Sequence, residues 1–585
     1  MRRHVLIALA LVCSPAALMA QKSAVTATTA DATAQFKAIY EAEWAWRTKE
    51  LALGPQGTRG PGSDRLPDVT PAAHKRQLNY WTNTLRELDR VPVDRLSDED
   101  KINFVVLQTS LRRFIHEIEA KEYEAPFVSG TSFWARLAPR AGFRDAAEYR
   151  SYISRMRDIP RFFDENVANM RAGLKRGFTP PRVTITGRER TIEPFANPDL
   201  SKNPFYNAFQ LMPTNIPAAE QEALRAEARQ VISETVVPAF SKLLPFIRDE
   251  YIPAARTTLA AEALPGGKAY YATLVEDHTT LDLTAQQIHD IGLKEVARIR
   301  AEMDVVMRES GWKGSFPDFL TFLKTDPQFV AKTPYELLAK TTFIINKVNG
   351  KLGETIGLLP RYRFTILPTP AAIAPFGTGG NGGLDSCVFN TYNLPARKLY
   401  TLPALAVHEC APGHSFQAAL ALEGPSRPAF RRSTSFNGYG EGWGLYTEFL
   451  GIGMGVYETP YDDFGRLTYE MWRACRLVID TGIHHLGWTR EQAIAYLAGN
   501  TALADHEVET EIDRYISNPG QALAYKLGEM LIRRKRTEAE AKLGRNFDQR
   551  WFHDVILDLG SVPLPILEQQ IDLWIAGGGK NPNAA

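Results

Sequence analysis

Apolar residues recur at helical spacing along most of the chain, and this pattern predicts a mainly α protein. The clearest helix runs from Thr284 to Met307, where Thr284 and Gln287 can form a capping box. His289 lies beside its apolar stripe, and we interpret it as a packed residue rather than a ligand. The apolar positions of this helix are Ile288, Ile291, Val296, Ile299, Met303 and Val306.

Two stretches depart from the helical pattern. Residues 175–215 are irregular, and PPRVTITG within them reads as a short strand. Residues 368–392 are rich in Gly, Asn and Pro and become β-like at Cys387–Tyr392. We expect this second stretch to form a small β element that edges a cleft, with Asn390 and Tyr392 binding substrate. An exposed edge strand can hold an extended peptide by main-chain hydrogen bonds, although a hairpin that only supports the next helix fits the pattern as well.

Composition is that of a globular enzyme, with 44% hydrophobic and 23% charged residues among 585. The formal net charge is +1 and no basic stripe stands out, so neither nucleic acid nor a membrane surface is an expected partner. No internal repeat or long linker interrupts the helical series. We therefore predict one large helical domain over residues 35–580.

The N-terminus has the features of a secretory signal peptide over residues 1–20. Arg2 and Arg3 precede a short apolar run at Val5–Cys13, and Ala20 is a plausible cleavage point. A membrane-spanning helix needs a longer apolar run, so we expect no stable membrane anchor after cleavage. Residues 21–34 read as a mobile lead-in. The predicted mature protein is exported, either periplasmic or extracellular.

Three cysteines remain after cleavage: Cys387, Cys410 and Cys475. An odd number in a long chain argues against a disulfide framework. One bridge is possible in an oxidising compartment, and the spacing leaves its pairing open.

The segment LPALAVHECAPGHSFQ, residues 402–417, carries a metal-like motif. Two histidines on one helix bind zinc at a spacing of four, as in His-Glu-x-x-His, whereas His408 and His414 are six apart. In a regular helix their side chains would diverge by about 120°. Pro412 and Gly413 lie between them, and a proline ring clashes with the carbonyl four residues back. We therefore predict that the helix breaks at Pro412-Gly413 and that His414 returns beside His408, with Glu409 as the general base.

The third zinc ligand is expected from a later helix. Glu441 in GEGWGLYTE is the best candidate, and Glu448, two turns further on, is the alternative. Glycines at 440, 442 and 444 would let this helix pack close to the metal. Zn²⁺ is the predicted cofactor, because a catalytic zinc takes three protein ligands from His and Glu or Asp and keeps one position open.

These motifs resemble a bacterial family called domain of unknown function 885. The resemblance rests on HECAPGHSFQ, EGWGLYTE, VIDTGIHHLGWT, FHDVILDLGSVPL and LPGGKAYYATLVEDHTTLDL. That family is similar in layout to helical zinc peptidases, namely thimet-oligopeptidase-like enzymes, carboxypeptidase Taq and angiotensin-converting enzyme. The resemblance implies a large helical zinc-peptidase-like domain with a deep cleft, although those peptidases lack the Pro-Gly insertion.

Polar side chains further along complete the predicted site. Tyr525 is similar in setting to a tyrosine of carboxypeptidase Taq, and its phenol could stabilise an oxyanion. His484 could assist it, and Asp480, one turn earlier, could pair with His484. Arg476 could hold a substrate carboxylate, and Gln521 shares the face of Tyr525.

The sequence thus predicts an exported zinc-dependent hydrolase, a peptidase that acts on short peptides. A non-peptide amidase with the same metal site is one alternative. A protein that binds peptides without turnover is another.

Overall fold

The computed structural model describes residues 29–54, 63–139, 142–371 and 374–584. These residues are mainly helical, as predicted, with a few short strands. The predicted signal peptide and the first part of the lead-in lie outside the described residues. Helix α1 already begins at Thr29, so the lead-in is shorter than predicted. Among the described residues, no helix has the length and apolar content that a membrane crossing requires.

The helices of the first half are α1 Thr29–Glu50, α2 Pro71–Leu88, α3 Asp98–Glu119, α4 Ala146–Arg176, α5 Arg182–Ile185, α6 Asn207–Gln210, α7 Ala218–Val231, α8 Val237–Pro245, α9 Ile252–Ala254, α10 Gly267–Thr279, α11 Ala285–Glu309, α12 Phe316–Thr325, α13 Pro334–Asn349 and α14 Leu352–Thr355. Those of the second half are α15 Leu402–Glu409, α16 His414–Glu423, α17 Ala429–Ser433, α18 Asn437–Gly453, α19 Pro460–His484, α20 Arg490–Asn500, α21 Asp505–Ser517, α22 Ala524–Leu543, α23 Gln549–Asp558 and α24 Leu564–Ala576. The strands are β1 Phe127–Val128, β2 Thr131–Ser132, β3 Thr365–Pro368, β4 Gly380–Gly382 and β5 Ser386–Phe389.

Helix α11 forms as its pattern predicts. The Thr284 side chain accepts the Gln287 N–H, and the Gln287 side chain returns to the Thr284 N–H, which completes the capping box. His289 is buried and its Nδ1 lies 2.8 Å from Thr481 Oγ1, so it is a packed polar residue. By contrast, PPRVTITG forms the short helix α5 and not a strand. The Thr184 and Thr186 hydroxyls bond the carbonyls of Pro181 and Arg182 there, which favours a helical turn.

Helix α19 is the central helix of the part that carries the motif. Every residue from Phe464 to His484 is buried. Helix α11 packs along one side of it, and α15, α20 and α22 contact it elsewhere. A helix buried on all sides must satisfy its polar side chains by contacts within the protein. The polar residues Arg476, Asp480 and His484 lie on this buried helix.

The strands β3, β5 and β4 form a small sheet in that order. Strand β5 pairs in parallel with β3 and antiparallel with β4, so it is the central strand. The prediction of an edge strand at Cys387–Tyr392 is therefore wrong in position, because β3 covers one side of that segment. The strand beside the motif is β4. A disulfide joins Cys387 of β5 to Cys410 at the end of α15, while Cys475 is a buried free thiol.

Candidate metal centre

The motif helix breaks where Pro412-Gly413 predicts. Helix α15 ends at Glu409 and α16 begins at His414, with a cis Ala411–Pro412 peptide between them. The Phe416 N–H donates to the Cys410 carbonyl, 3.0 Å away and six residues back. An uninterrupted helix closes such bonds over four residues. The turn therefore accommodates two extra residues, which accounts for the wide spacing of the histidines.

Close backbone contacts hold this turn. A Cβ on Gly413 would lie 1.8 Å from the His408 carbonyl oxygen, so only glycine fits there. A Cβ on Gly382 would lie 1.9 Å from the Glu409 carbonyl oxygen, so β4 packs directly on the end of α15. The Trp443 indole N–H of α18 donates to the Pro412 carbonyl, 2.8 Å away. The turn is thus fixed by neighbours from two other segments.

The structure brings the three predicted ligands together. Nitrogen or oxygen atoms of His408, His414 and Glu441 all lie within 4.8 Å of one another. Glu441 Oε2 is 3.3 Å from His414 Nε2 and 3.7 Å from His408 Nε2. The His408 side chain is 2% exposed, whereas those of His414 and Glu441 are each 23% exposed, so the cluster opens to solvent on one side.

Glu448 lies behind His408 rather than in the cluster. Its Oε1 accepts from His408 Nδ1 at 2.8 Å, which turns Nε2 toward Glu441. Arg473 approaches the same Glu448 oxygen at 3.5 Å. A carboxylate that orients a metal-binding histidine in this way is a usual feature of zinc sites. Glu441 is therefore the better candidate for a third ligand, and Glu448 supports His408 instead.

The donor set fits a zinc ion. Two imidazoles and one carboxylate, with an open side, match the ligands of catalytic zinc. Burial lowers the pKa of His408, but hydrogen bonds to Glu441 and Glu448 outweigh it and raise the pKa to about 9. The negative potential that favours a proton on this ring also favours a bound cation.

Glycines on α18 make room for the cluster. A Cβ at Gly444 would lie 2.9 Å from His408 Cε1 and Nε2 and 3.1 Å from His414 Cε1. Gly442 has a different use, because a Cβ there would lie 2.7 Å from the Gly528 backbone of α22. Gly440 has no neighbour nearer than 4.0 Å. Of the three glycines predicted to allow close approach, two are required by contacts in the structure.

The close packing of α18 on α22 brings Tyr525 toward Glu441. Tyr525 lies one turn before Gly528, and Glu441 directly precedes Gly442. Burial, and then the negative charge of Glu441, raise the pKa of Tyr525. Gln521 lies in the preceding turn, where its Oε1 accepts from Arg514 at 2.6 Å. Tyr525 is thus close enough to feel the charge of Glu441, and its catalytic role stays a prediction.

The structure contradicts the predicted catalytic role of His484. This ring is fully buried in α19, and both of its nitrogens are engaged by backbone. Nδ1 accepts the Ala261 N–H at 3.0 Å, and Nε2 donates to the Tyr515 carbonyl at 2.9 Å. The predicted pairing with Asp480 is also wrong, because Asp480 accepts from the Tyr271 hydroxyl and the Gly520 N–H instead.

Asn390 is likewise a structural residue and not a substrate contact, whereas the predicted substrate contact of Arg476 stays a prediction. Arg476 is 2% exposed, pairs with Glu511 at 3.1 Å and lies under the Tyr525 ring, 4.1 Å from its centroid. Asn390 is fully buried and donates to the carbonyls of Ala374 and Gly377. Tyr392 is 53% exposed after β5, and its predicted substrate contact stays a prediction.

Glu409 directly follows His408, and its carboxylate is held by β4. Glu409 is half-buried, and its Oε2 accepts the Gly382 N–H at 2.7 Å, which leaves Oε1 free for a proton.

The sequence did not single out His278 of α10, whose Nδ1 lies 2.8 Å from the Asn437 amide nitrogen. Asn437 is one turn before Glu441 on α18, so this contact places His278 beside the helix that carries Glu441. Burial lowers the pKa of His278 to about 4, so the ring is neutral and Nε2 carries its proton. Nothing in the spacing around His278 could have revealed this placement.

Comparison with known proteins places nearly all of the chain in one family and one fold. The family described as "Bacterial protein of unknown function (DUF885)" matches residues 17–571. A crystal structure of a "putative lipoprotein" from Colwellia psychrerythraea is 25% identical, with a TM-score of 0.83, and the match covers 94% of this chain and 100% of that one. A "putative lipoprotein of unknown function" from Shewanella oneidensis is 17% identical, with a TM-score of 0.64 over 93% and 99% of the two chains, and shows the fold alone. No curated protein matches the chain.

Proposed function

The chain belongs to the DUF885 family of bacterial proteins of unknown function, and from its site we propose that it is an exported, zinc-dependent peptidase of short peptides. The observation that carries the proposal is the convergence of His408, His414 and Glu441 beside Glu409. This is the ligand set and base of helical zinc peptidases, reached through a turn that those enzymes lack. The Cys387–Cys410 disulfide supports export, since such bridges persist in oxidising compartments.

A zinc ion held by His408, His414 and Glu441 would lower the pKa of a bound water and polarise a substrate carbonyl. Glu409 would accept a proton at Oε1 as general base, because the Gly382 N–H holds Oε2. The Tyr525 hydroxyl and His278 Nε2–H are the donors available for the oxyanion of the tetrahedral state. Glu448 keeps His408 in the tautomer and orientation that binding needs.

Peptides are the favoured substrates because β4 borders the base. Gly380 and Gly382 alternate with Asn381, which pairs with Val388 of β5. Gly382 therefore points its N–H away from β5 and toward Glu409. A short extended peptide beside β4 would lie across the cluster.

Metal analysis and peptide hydrolysis test the proposal together. Wild-type protein should contain zinc and cleave short unstructured peptides but not non-peptide amides. Glu409→Gln should keep zinc and lose about 10²–10⁴-fold in kcat, the usual contribution of a general base. His408→Ala should lose both zinc and activity. His485→Ala is the matched control, because its side chain pairs with Glu262 at the surface and should change neither.

Four results would contradict parts of the proposal. Zinc retained in His408→Ala would remove the ligand assignment. Full activity in Glu409→Gln would remove the mechanism. Cleavage of amides but not peptides would favour the amidase alternative, and tight peptide binding without turnover would favour a binding protein.

A further inference from the structure

A charged cavity of about 290 Å³ lies beyond the N-terminal end of β4. Its walls come from the turn after α5, the segment before β4, residues 396–397 and α21. The titratable side chains that face it are Arg188, Arg397, His506, Glu507 and Glu511. None of these is a predicted ligand or base of the metal cluster. The cavity is therefore a separate feature that needs its own explanation.

Two arginines of this wall are without partners. Within the described parts of the chain, neither the Arg188 nor the Arg397 guanidinium forms a hydrogen bond or an ion pair, and Arg397 Nε is buried without a partner. The buried arginines of the described chain each have a carboxylate oxygen within 4.0 Å, as Arg476 has Glu511 at 3.1 Å, whereas these two half-buried arginines have none. An unpaired guanidinium in a concave site costs free energy unless a ligand satisfies it.

The acidic residues of the wall do not neutralise these arginines. Glu511 is already bound by Arg476 at 3.1 Å and by Arg514 at 2.8 Å. Burial raises the pKa of Glu507 to about 7, even though Arg397 opposes it, so this carboxyl is only partly ionised at neutral pH. The cavity therefore carries net positive charge. An arginine fork fits a carboxylate with two parallel hydrogen bonds.

Two sets of residues lie between the cavity and the proposed metal cluster. Thr378 lines the cavity, and Gly382, four residues along the same segment, donates to Glu409. Four residues of extended chain span about 13 Å. On the other side, Glu511 contacts Arg476, which lies under Tyr525. An extended peptide beside β4 would reach the cavity roughly four residues from the bond that is cut.

We propose that Arg188 and Arg397 form a subsite that binds a carboxylate of the peptide substrate, either its C-terminal carboxylate or an acidic side chain, about four residues from the cleaved bond. This inference rests on the proposed peptidase function for its register along the substrate. The carboxylate would complete the hydrogen bonding of both guanidinium groups. The protein would then prefer peptides that carry a negative charge at that distance.

Binding of labelled hexa-alanine peptides tests the subsite without depending on turnover. The probes are hexa-alanine with a free C-terminus, its C-terminal amide, and amides with one glutamate or one glutamine at each position in turn. Their affinities are measured by fluorescence anisotropy with Glu409→Gln protein. The same peptides are used to measure kcat/KM with otherwise wild-type protein.

The expected result is at least tenfold tighter binding of one acidic probe over its neutral match. Preference for the free C-terminus identifies the terminal carboxylate, and preference for one glutamate position identifies a side chain. Arg397→Gln and Arg188→Gln, each added separately, should reduce the ratio toward one while leaving binding of the neutral amide unchanged. Arg432→Gln, at an exposed position on α17, is the control and should keep the preference.

Equal binding of acidic and neutral peptides would overturn the subsite, as would a preference that survives both arginine substitutions. Absence of binding to every probe would overturn it too. Acid-selective binding without hydrolysis by wild-type protein would uphold the subsite and reject the peptidase function. Hydrolysis of the peptides without a preference for acidic ones would uphold the peptidase function and reject the subsite. Thermal unfolding shows that each variant is folded.

Discussion

Replacing Gly444 by alanine should disable the metal centre while replacing Gly440 should not. Both glycines lie on α18, one turn apart. A methyl group at 444 would lie 2.9 Å from His408 Cε1 and Nε2 and 3.1 Å from His414 Cε1, whereas one at 440 meets only Gln417 Oε1 at 4.0 Å. The two variants therefore add the same methyl group to the same helix, but only the one at position 444 meets the two histidines.

The magnitude follows from the size of the overlap. Carbon atoms pack at about 3.5–4.0 Å, so at least one imidazole must move by roughly 0.6 Å or more. Metal–ligand distances tolerate only about 0.2 Å. Loss of a supporting contact alone costs about 10–100-fold in metal affinity, and displacement of a ligand should cost at least the upper figure. We expect a loss of about 100-fold or more, or about 2.8 kcal/mol.

Zinc affinity is measured by competition with a chromogenic chelator, beside peptide hydrolysis and thermal unfolding. Alanine favours a helix over glycine by up to about 1 kcal/mol, so Gly440→Ala should be as stable as wild type or more so, with zinc affinity unchanged. Gly444→Ala should remain folded but bind zinc weakly. Wild-type zinc affinity and activity in folded Gly444→Ala would refute the placement of the metal between His408 and His414.

Three further changes test other parts of the site and its supports. His278→Ala should lower kcat by about 10²–10³-fold with zinc content unchanged, the usual effect of losing one oxyanion donor, and unchanged kcat would exclude that role. Asp480→Asn should flatten the pH dependence of stability, because burial raises the pKa of Asp480 to about 7. The stability that the protonated Asp480 contributes is full below its unfolded pKa near 4 and is lost as pH rises through 7, by at most about 4 kcal/mol. Urea unfolding at pH 5 and pH 8 measures this difference. Replacing Cys387 and Cys410 by serine should cost about 3 kcal/mol, because the bridge closes a loop with a sequence separation of 23, and an unchanged urea midpoint would exclude this contribution.

The helices and the break in the motif were predictable because they follow from local physics. The capping box of α11 and the position of the break at Pro412-Gly413 need only the residues themselves and their neighbours in sequence. Glu441 was also accessible, because its distance in sequence and its glycine neighbours favour a helix that packs closely. For the capping box and the break, the evidence lies within one or two turns of chain.

The roles of His484, Arg476 and Asn390 were not predictable, because polar chemistry does not reveal burial. His484 and Arg476 lie on α19, which is buried along its length. Both ring nitrogens of His484 are bonded to backbone, and Arg476 donates to the Tyr515 hydroxyl and to Glu511, while its Nη1 is buried without a partner among the described residues. Asn390 holds the segment before β4 by bonds to the Ala374 and Gly377 carbonyls. His278 could not be identified from the sequence, because only its tertiary contact with Asn437 places it beside the helix that carries Glu441.

The wide spacing of His408 and His414 explains why the proposed metal centre would depend on distant glycines. In a His-Glu-x-x-His helix, the regular backbone alone places both rings on one face. Here the Phe416–Cys410 bond closes over six residues, so the turn lacks that internal regularity. Its shape comes instead from contact of Gly413 with the His408 carbonyl, of Gly382 with the Glu409 carbonyl, and from the space that Gly444 leaves. A motif for this site must therefore include Gly382 and Gly444, which lie on β4 and α18, as well as the residues between His408 and His414.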